Sequence, residues 1–152
     1  MLVQAIHVTQ GGERPTREVL LQPEIRRYLQ DWGQPHDAGF VAVEATTQKP
    51  VGAAWLRLLT GDHKGYGYVD DTTPEVTVAV APEFRGQGIG TRLLSQLVAM
   101  AQTRYHGLSL SVSPDNPALR LYERLGFQTV GTCGASLVMK RAFGSLRTRS
   151  QF

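Results

Sequence analysis

The sequence predicts an α/β fold in which a mixed sheet is flanked by helices. Three observations carry that expectation. Short β-prone apolar runs recur along the chain, two stretches with helical apolar spacing lie between such runs, and the longer stretch starts at alternating glycines directly after a strand. The 152 residues, 41% hydrophobic and 19% charged, suffice for one domain with a sizeable core and are too apolar for a disordered chain.

Taken in order, residues 2–8 read as a short strand, and residues 16–31 have loose helical spacing broken by Pro23. Phe40–Glu44 and Val51–Leu59 are apolar and β-prone, and the Thr46–Pro50 turn between them makes a hairpin. Gly61–Thr73 reads as a loop rich in Gly, Asp and Tyr. A strand over Glu75–Ala81 ends at Pro82. A helix then runs from about Gly88 to Tyr105, with Ile89, Leu93 and Leu97 beside Leu94, Val98 and Ala101 as a broad apolar stripe. Leu108–Val112 is the next strand. Asn116 and Pro117 suit a helix start, Asn as N-cap and Pro where its missing N–H costs nothing. That helix sets Ala118, Leu121, Tyr122 and Leu125 along one side and stops at Gly126, after which Phe127–Cys133 and Ser136–Arg141 finish as a strand pair.

The chemistry concentrates in the segment Val76 to Thr91, a strand, a short turn, glycines at 86, 88 and 90, and a helix start. The first N–H groups of a helix lack intrahelical acceptors and carry partial positive charge, and glycines leave them open to an anion. The segment is therefore a pyrophosphate cradle. Spacing separates it from related loops. A dinucleotide motif G-x-G-x-x-G fails because Thr91 follows from Gly86 and Leu93 from Gly88, and a P-loop fails at Thr91–Arg92. A nucleotide-binding oxidoreductase is excluded on the same spacing.

Arg85-x-x-Gly88-x-Gly90 instead resembles the acyl-CoA signature [Q/R]-x-x-G-x-[G/A] of the GNAT N-acyltransferase superfamily. Asn116-Pro117-Ala118-Leu119-Arg120-Leu121-Tyr122-Glu123-Arg124-Leu125-Gly126-Phe127 is similar to the other recurrent block of that family, an Asn-led helix ending in Y-E-[KR]-x-G-F, and it begins 28 residues after Gly88. The resemblance covers about residues 40–141. It implies a mostly antiparallel mixed sheet with one splayed strand pair, between the strand ending at Ala81 and the strand ending near Val112, that admits the pantetheine arm of acetyl-CoA.

Carried over residue by residue, the resemblance implies that Val78, Ala79 and Val80 line the pantetheine, their backbones pairing with its amides. Gly86, Gln87, Gly88, Ile89, Gly90 and Thr91 hold the pyrophosphate, Arg85 adds charge, and Asn116 bonds the pantetheine. It further implies acetyl transfer to a primary amine by direct attack in a ternary complex. An alkylammonium of pKa ~10.4 must first lose a proton, for which Glu75 or a water chain is the base. The Val80 N–H faces the developing oxyanion, and Tyr122 serves as general acid to the leaving thiolate. With proximity supplying much of the acceleration, Glu75→Gln is expected to lower the rate mainly at low pH. A non-catalytic acyl-CoA sensor of the same fold stands as the alternative, although such a sensor has no need of Tyr122.

The other candidates carry less. His7, His36, His63 and His106 show no metal spacing, and no metal is expected. Cys133 is expected to pack in its strand rather than carry an acyl group. Asp62, Asp70 and Asp71 with Tyr66 and Tyr68 suit either the mouth for a cationic amine or a solvated loop, and Trp32 and Trp55 are expected to pack.

The formal charge is +3 with 16 basic and 13 acidic residues, but Lys140, Arg141, Arg147 and Arg149 leave 12 basic against 13 acidic residues before position 140. The basic excess therefore sits at the C-terminal end, and neither nucleic acid nor a membrane surface is an expected partner. The division read from this is one domain over 1–143 and a basic, flexible tail over 144–152. One cysteine and no signal-peptide pattern point to the cytoplasm. The acceptor is a small-molecule or peptide amine, and the resemblance allows a homodimer.

Overall fold

In the computed structural model the described residues are Arg27, Tyr28 and residues 30–144. The strand expected over 2–8 and most of the helix expected over 16–31 lie outside them, and Arg27, Tyr28, Gln30 and Asp31 sit in turns rather than in a helix. The last residues, 145–152, are likewise outside the description.

Among the described residues six strands form one sheet. They are β1 (Ala38–Val43), β2 (Pro50–Arg57), β3 (Glu75–Val80), β4 (Gly107–Val112), β5 (Gln128–Cys133) and β6 (Ser136–Ala142). Their spatial order is β1-β2-β3-β4-β6-β5. Every neighbouring pair is antiparallel except β3 and β4, which run parallel. The mixed, mostly antiparallel sheet expected from the sequence is the one observed.

Each turn has a local cause. Between β1 and β2, Thr46 and Thr47 hydroxyls donate to the Glu44 carboxylate while the Glu44 N–H donates to Lys49 O at 2.9 Å. These bonds fix the hairpin register Phe40↔Ala54.

Helix α1 (Ile89–Ala101) crosses one face of the sheet, burying Leu93, Leu94, Leu97, Val98 and Ala101. Those side chains meet Ala54, Leu56, Val76, Leu108, Leu110 and Val112 in a continuous core. The stripe read from the sequence is thus the buried one. The helix ends four residues before Tyr105, where the Thr103 hydroxyl donates to Met100 O and the chain turns toward β4.

Helix α2 (Leu119–Arg124) begins later than expected. Asn116 is not its N-cap. The Asn116 Oδ1 accepts the Ala118 N–H at 2.9 Å, closing a turn ahead of the helix, and the Leu119 N–H donates to Asn116 O at 3.0 Å. The same residue does a cap's work two residues early, because Pro117 leaves only Ala118 and Leu119 as donors.

Strand β5 also departs from expectation. All six of its residues are exposed, and Cys133 at its end is exposed rather than packed. The strand lies at the edge of the sheet, beyond β6, and no described element covers it. Lys140 and Arg141, counted with the basic C-terminal residues, lie in β6, where the strand read over Ser136–Arg141 put them.

Candidate active site

Strands β3 and β4 pair at one point only. Their sole register pair is Glu75↔Ser109, supported by a Ser109 N–H bond to Pro74 O at 2.9 Å, after which the two strands separate. Elsewhere each is fully paired, β3 with β2 from Glu75 to Val80 and β4 with β6 from Gly107 to Val112. The separation is the splayed pair the sequence led us to expect.

Which peptide groups face that gap follows from the ladder. The Ala81 N–H donates to Val51 O at 2.8 Å, so position 81 bonds toward β2, and the alternation along an antiparallel pair gives 79, 77 and 75 the same direction. The peptide groups of Val76, Val78 and Val80 therefore point the other way, into the gap. Ala79 does not join them. Its polar groups are spent on β2 and its side chain is buried.

Beyond β3 the chain makes a single 3-10 turn over Pro82–Phe84 and enters α1. The first intrahelical bond runs from the Arg92 N–H to Gly88 O at 3.1 Å, which leaves the N–H groups of Gly88, Ile89, Gly90 and Thr91 directed outward. Gly86 and Gly88 have φ of +77° and +81°, the left-handed region that glycine adopts without strain. A Cβ at either would meet nothing within 4 Å, so the requirement there is conformational. Gly90 differs. A Cβ on it would contact Val80 and Leu121, showing that the helix start lies against the end of β3 and against α2. Arg85 and Gln87 are exposed beside this turn, and the Arg85 Nε donates to Val80 O at 3.1 Å. A gap lined with peptide groups can take an extended chain that carries amides, and a cluster of outward N–H groups with an arginine can take an anion.

Tyr122 lies in α2, whose leading residues border the same region. Its ring is buried in the core and meets Phe127 edge-on at 6.1 Å. Burial pushes its phenol up to about 12, so it is protonated at any physiological pH. Asn116 is half-buried in the loop after β4, and its side-chain oxygen is engaged by the Ala118 N–H.

Glu75, at the start of β3, is 4% exposed. Burial pushes its carboxyl up to about 7, against smaller opposing effects from the Gly67 N–H, the Tyr28 hydroxyl, the positive charge of Arg27 and the Gly65 N–H. The Gly67 N–H and the Tyr28 hydroxyl, the latter at 3.4 Å, both donate to Oε1. Tyr28 in turn accepts the Tyr66 N–H at 2.8 Å. Burial, and then the neighbouring Glu75 charge, hold the Tyr28 phenol well above its ordinary range.

Tyr28, Gly65 and Gly67 went unnoticed as site residues in the sequence. A Cβ at Gly65 would overlap the Glu75 carboxylate, and one at Gly67 would collide with Glu75 Oε1 and the Leu110–Ser111 peptide. The spacing Gly65-x-Gly67 just ahead of Glu75 was the available signal. Glycine lets the loop lie directly on the carboxylate at the base of the gap.

Two of the loop's acids, Asp70 and Asp71, are committed elsewhere. Asp70 accepts from Thr72 and Thr73 and pairs with Lys140 at 3.7 Å, and Asp71 accepts the Tyr68 hydroxyl. Trp55 is buried, its indole N–H donating to Tyr28 O at 3.2 Å, while Trp32 is 48% exposed with the Arg57 guanidinium over its ring. Trp55 packs, as expected, whereas Trp32 stays largely on the surface.

Comparison with known proteins agrees with this geometry. The profile of the acetyltransferase (GNAT) family matches residues 7–127. A mycothiol acetyltransferase from Pseudarthrobacter chlorophenolicus is 33% identical over 128 residues, covering 81% of this chain and 37% of that protein. The chain spans about a third of the length of the mycothiol acetyltransferases it matches. Among solved structures, a ribosomal-protein-alanine N-acetyltransferase from Brucella melitensis superposes with a TM-score of 0.61 at 23% identity, over 78% of this chain and 76% of that one. A phosphinothricin acetyltransferase from Sinorhizobium meliloti in complex with acetyl-CoA does so with a TM-score of 0.57 at 22% identity, over 70% and 60%. These two likenesses show the fold.

Proposed function

The chain belongs to the GNAT acetyltransferase family, and on that premise we propose that it moves an acetyl group from acetyl-CoA to a primary amine by direct attack in a ternary complex. The observation that carries this reading is the gap between β3 and β4. It is edged by the peptide groups of Val78 and Val80 and leads to the outward N–H groups of α1. Acetyl-CoA supplies an activated thioester, a pantetheine with two amides and a pyrophosphate, and each has a chemical counterpart along that path. Val78 and Val80 bind the pantetheine through their backbones. The N–H groups from Gln87 to Thr91, at the turn made by Gly86, Gly88 and Gly90, hold the pyrophosphate, with Arg85 adding charge. Asn116 donates to the pantetheine through its amide nitrogen.

The amine attacks the thioester carbonyl, and Val80 N–H steadies the oxygen as it gains charge. Glu75, whose carboxyl ionises near neutrality, takes the ammonium's proton. Because Glu75 lies beneath the 65–67 turn, that proton reaches it through water rather than by direct contact. Tyr122 acts on the leaving sulfur. A phenol near 12 is a weaker acid than a thiol of pKa ~8.5, so its contribution is a hydrogen bond to the forming thiolate rather than complete proton transfer. Tyr122→Phe keeps the buried ring and its contact with Phe127, and is expected to lower kcat roughly 10²-fold without changing the melting temperature. A kcat unchanged by the substitution removes Tyr122 from the reaction.

The acceptor is a small-molecule amine or a peptide amine, acetylated in the cytoplasm without a bound metal. The test is release of free thiol from acetyl-CoA in the presence of small amines, amino acids and peptides. Amine-dependent thiol release is the expected result. Tight acetyl-CoA binding with no turnover on any amine identifies a sensor instead, and absence of binding sinks both readings.

A further inference from the structure

The alternation that turns the peptide groups of Val76, Val78 and Val80 into the gap leaves Val80 O as the carbonyl nearest the helix start. That oxygen has an occupant. The Arg85 Nε donates to it at 3.1 Å. The chain between them is held by its backbone alone. The Ala81 N–H bonds to Val51 O, the Phe84 N–H to Ala81 O and the Arg85 N–H to Pro82 O. Arg85 leaves this turn with extended backbone, and its side chain is exposed. The guanidinium can therefore change partner without disturbing the turn.

Val80 is also where two parts of acetyl-CoA meet, the pantetheine along β3 and the pyrophosphate at the start of α1. A chain that pairs with β3 sets its own N–H roughly 3 Å from a gap-facing carbonyl. The Arg85 nitrogen stands at that distance from Val80 O, so guanidinium and pantetheine compete for one place.

We propose that Arg85 is a specificity-determining residue, its guanidinium closing Val80 O to any acyl donor that lacks a pyrophosphate. The inference rests on the acetyl-CoA reading of the gap. A donor with a pyrophosphate offers the guanidinium a charge-assisted, two-pronged contact in exchange for one carbonyl. Arg85 then turns to the anion, and Val80 O passes to a pantetheine amide. A thioester that ends at pantetheine offers no exchange, and must either displace Arg85 or leave an amide unpaired. Discrimination thus comes from a contact that opposes the wrong donor as well as one that favours the right donor. Two simpler roles make different predictions. A residue that only adds charge leaves the truncated donor unaffected, and one that only braces the end of β3 helps both donors.

The test compares the full chain as wild type and as Arg85→Met, each titrated with coenzyme A and with S-acetylpantetheine. Binding is read from the amide NMR shifts of Val78 and Val80, so no acceptor amine is needed. Arg85→Met is expected to bind coenzyme A roughly tenfold more weakly and S-acetylpantetheine roughly threefold or more tightly. Its melting temperature is expected to match wild type, since the side chain is exposed. Arg85→Ala is expected to move both affinities the same way, and serves if the methionine itself packs into the gap. S-acetylpantetheine bound no better by either variant than by wild type overturns the proposal, and so does weaker binding of both ligands. A wild type that binds neither ligand overturns the acetyl-CoA reading itself.

Discussion

Glu75→Gln is expected to slow acetyl transfer most between about pH 7 and pH 10 and, in the same variant, to stabilise the fold above pH 7. Both effects come from the burial that raises its carboxyl from 4.5 to about 7. Below 7 the wild-type carboxyl is itself protonated, so removing it costs little. Above ~10 the free amine needs no base, since its ammonium has pKa ~10.4. The sequence alone suggested a loss mainly at low pH, as an ordinary carboxylate gives; burial moves the window upward. The stability effect has the opposite sign to that of a salt-bridged acid. Between 4.5 and 7 the folded protein holds a proton that the unfolded chain has released, so wild-type stability falls as pH rises through that range. The full cost, present above 7, is at most about 3 kcal/mol at 1.36 kcal/mol per unit. Glutamine carries no charge, and its carbonyl still accepts from Gly67 and Tyr28. Urea midpoints at pH 5 and pH 8 measure the effect. A gain in stability for Glu75→Gln that is the same at both pH values would contradict the raised carboxyl.

Arg57→Met is expected to be the most damaging single change among the described residues outside the hydrophobic core. Arg57 is 6% exposed, and its Nε reaches Asp37 Oδ1 at 2.8 Å while a second nitrogen reaches Oδ2 at 3.2 Å. The guanidinium also donates to the carbonyls of Arg27 and Gln30, so one side chain ties the segment carrying Tyr28 to the end of β2. Removing one partner of a buried pair leaves the other charge unpaired, at a cost of about 3–5 kcal/mol. Against a total of roughly 5–15 kcal/mol, that is a large fraction of the stability of a domain. Arg57→Lys is expected to recover little, because an ammonium cannot reproduce the planar fork. Chemical denaturation measures the loss, and the acid limb of the reaction should shift as well, since Tyr28 loses its anchor. A cost below about 1 kcal/mol would place the pair among solvent-screened contacts.

Legibility in the sequence followed the range of the interactions involved. The α1 stripe, the hairpin of β1 and β2, and the glycine turn at 86–90 are set by neighbours a few residues apart, and each formed where the spacing put it. Asn116 was recognised as a capping residue and misplaced by two residues, since its side chain chooses among nearby donors only once Pro117 is positioned. Cys133 was expected to pack because an apolar strand usually does. Its exposure follows from strand order, which puts β5 at the edge with nothing described over it. Tyr28 and Ser109 carried no local mark of their relation to Glu75, for they reach it from separate parts of the chain, and the Gly65-x-Gly67 spacing just ahead of it was the one local signal.

By itself the sequence determined the fold class, the family, and the strand, turn and helix start proposed to hold acetyl-CoA, because backbone donors at a glycine-rich helix start are a local property. Only the tertiary structure decided the state of Glu75. A carboxyl at the beginning of a strand can be solvated or buried, and its acidity depends on which neighbours the fold brings over it. Here a loop of close-lying glycines, a tyrosine 47 residues upstream and a serine on the adjoining strand shut out water, and desolvation turns an ordinary acid into one that ionises near neutrality.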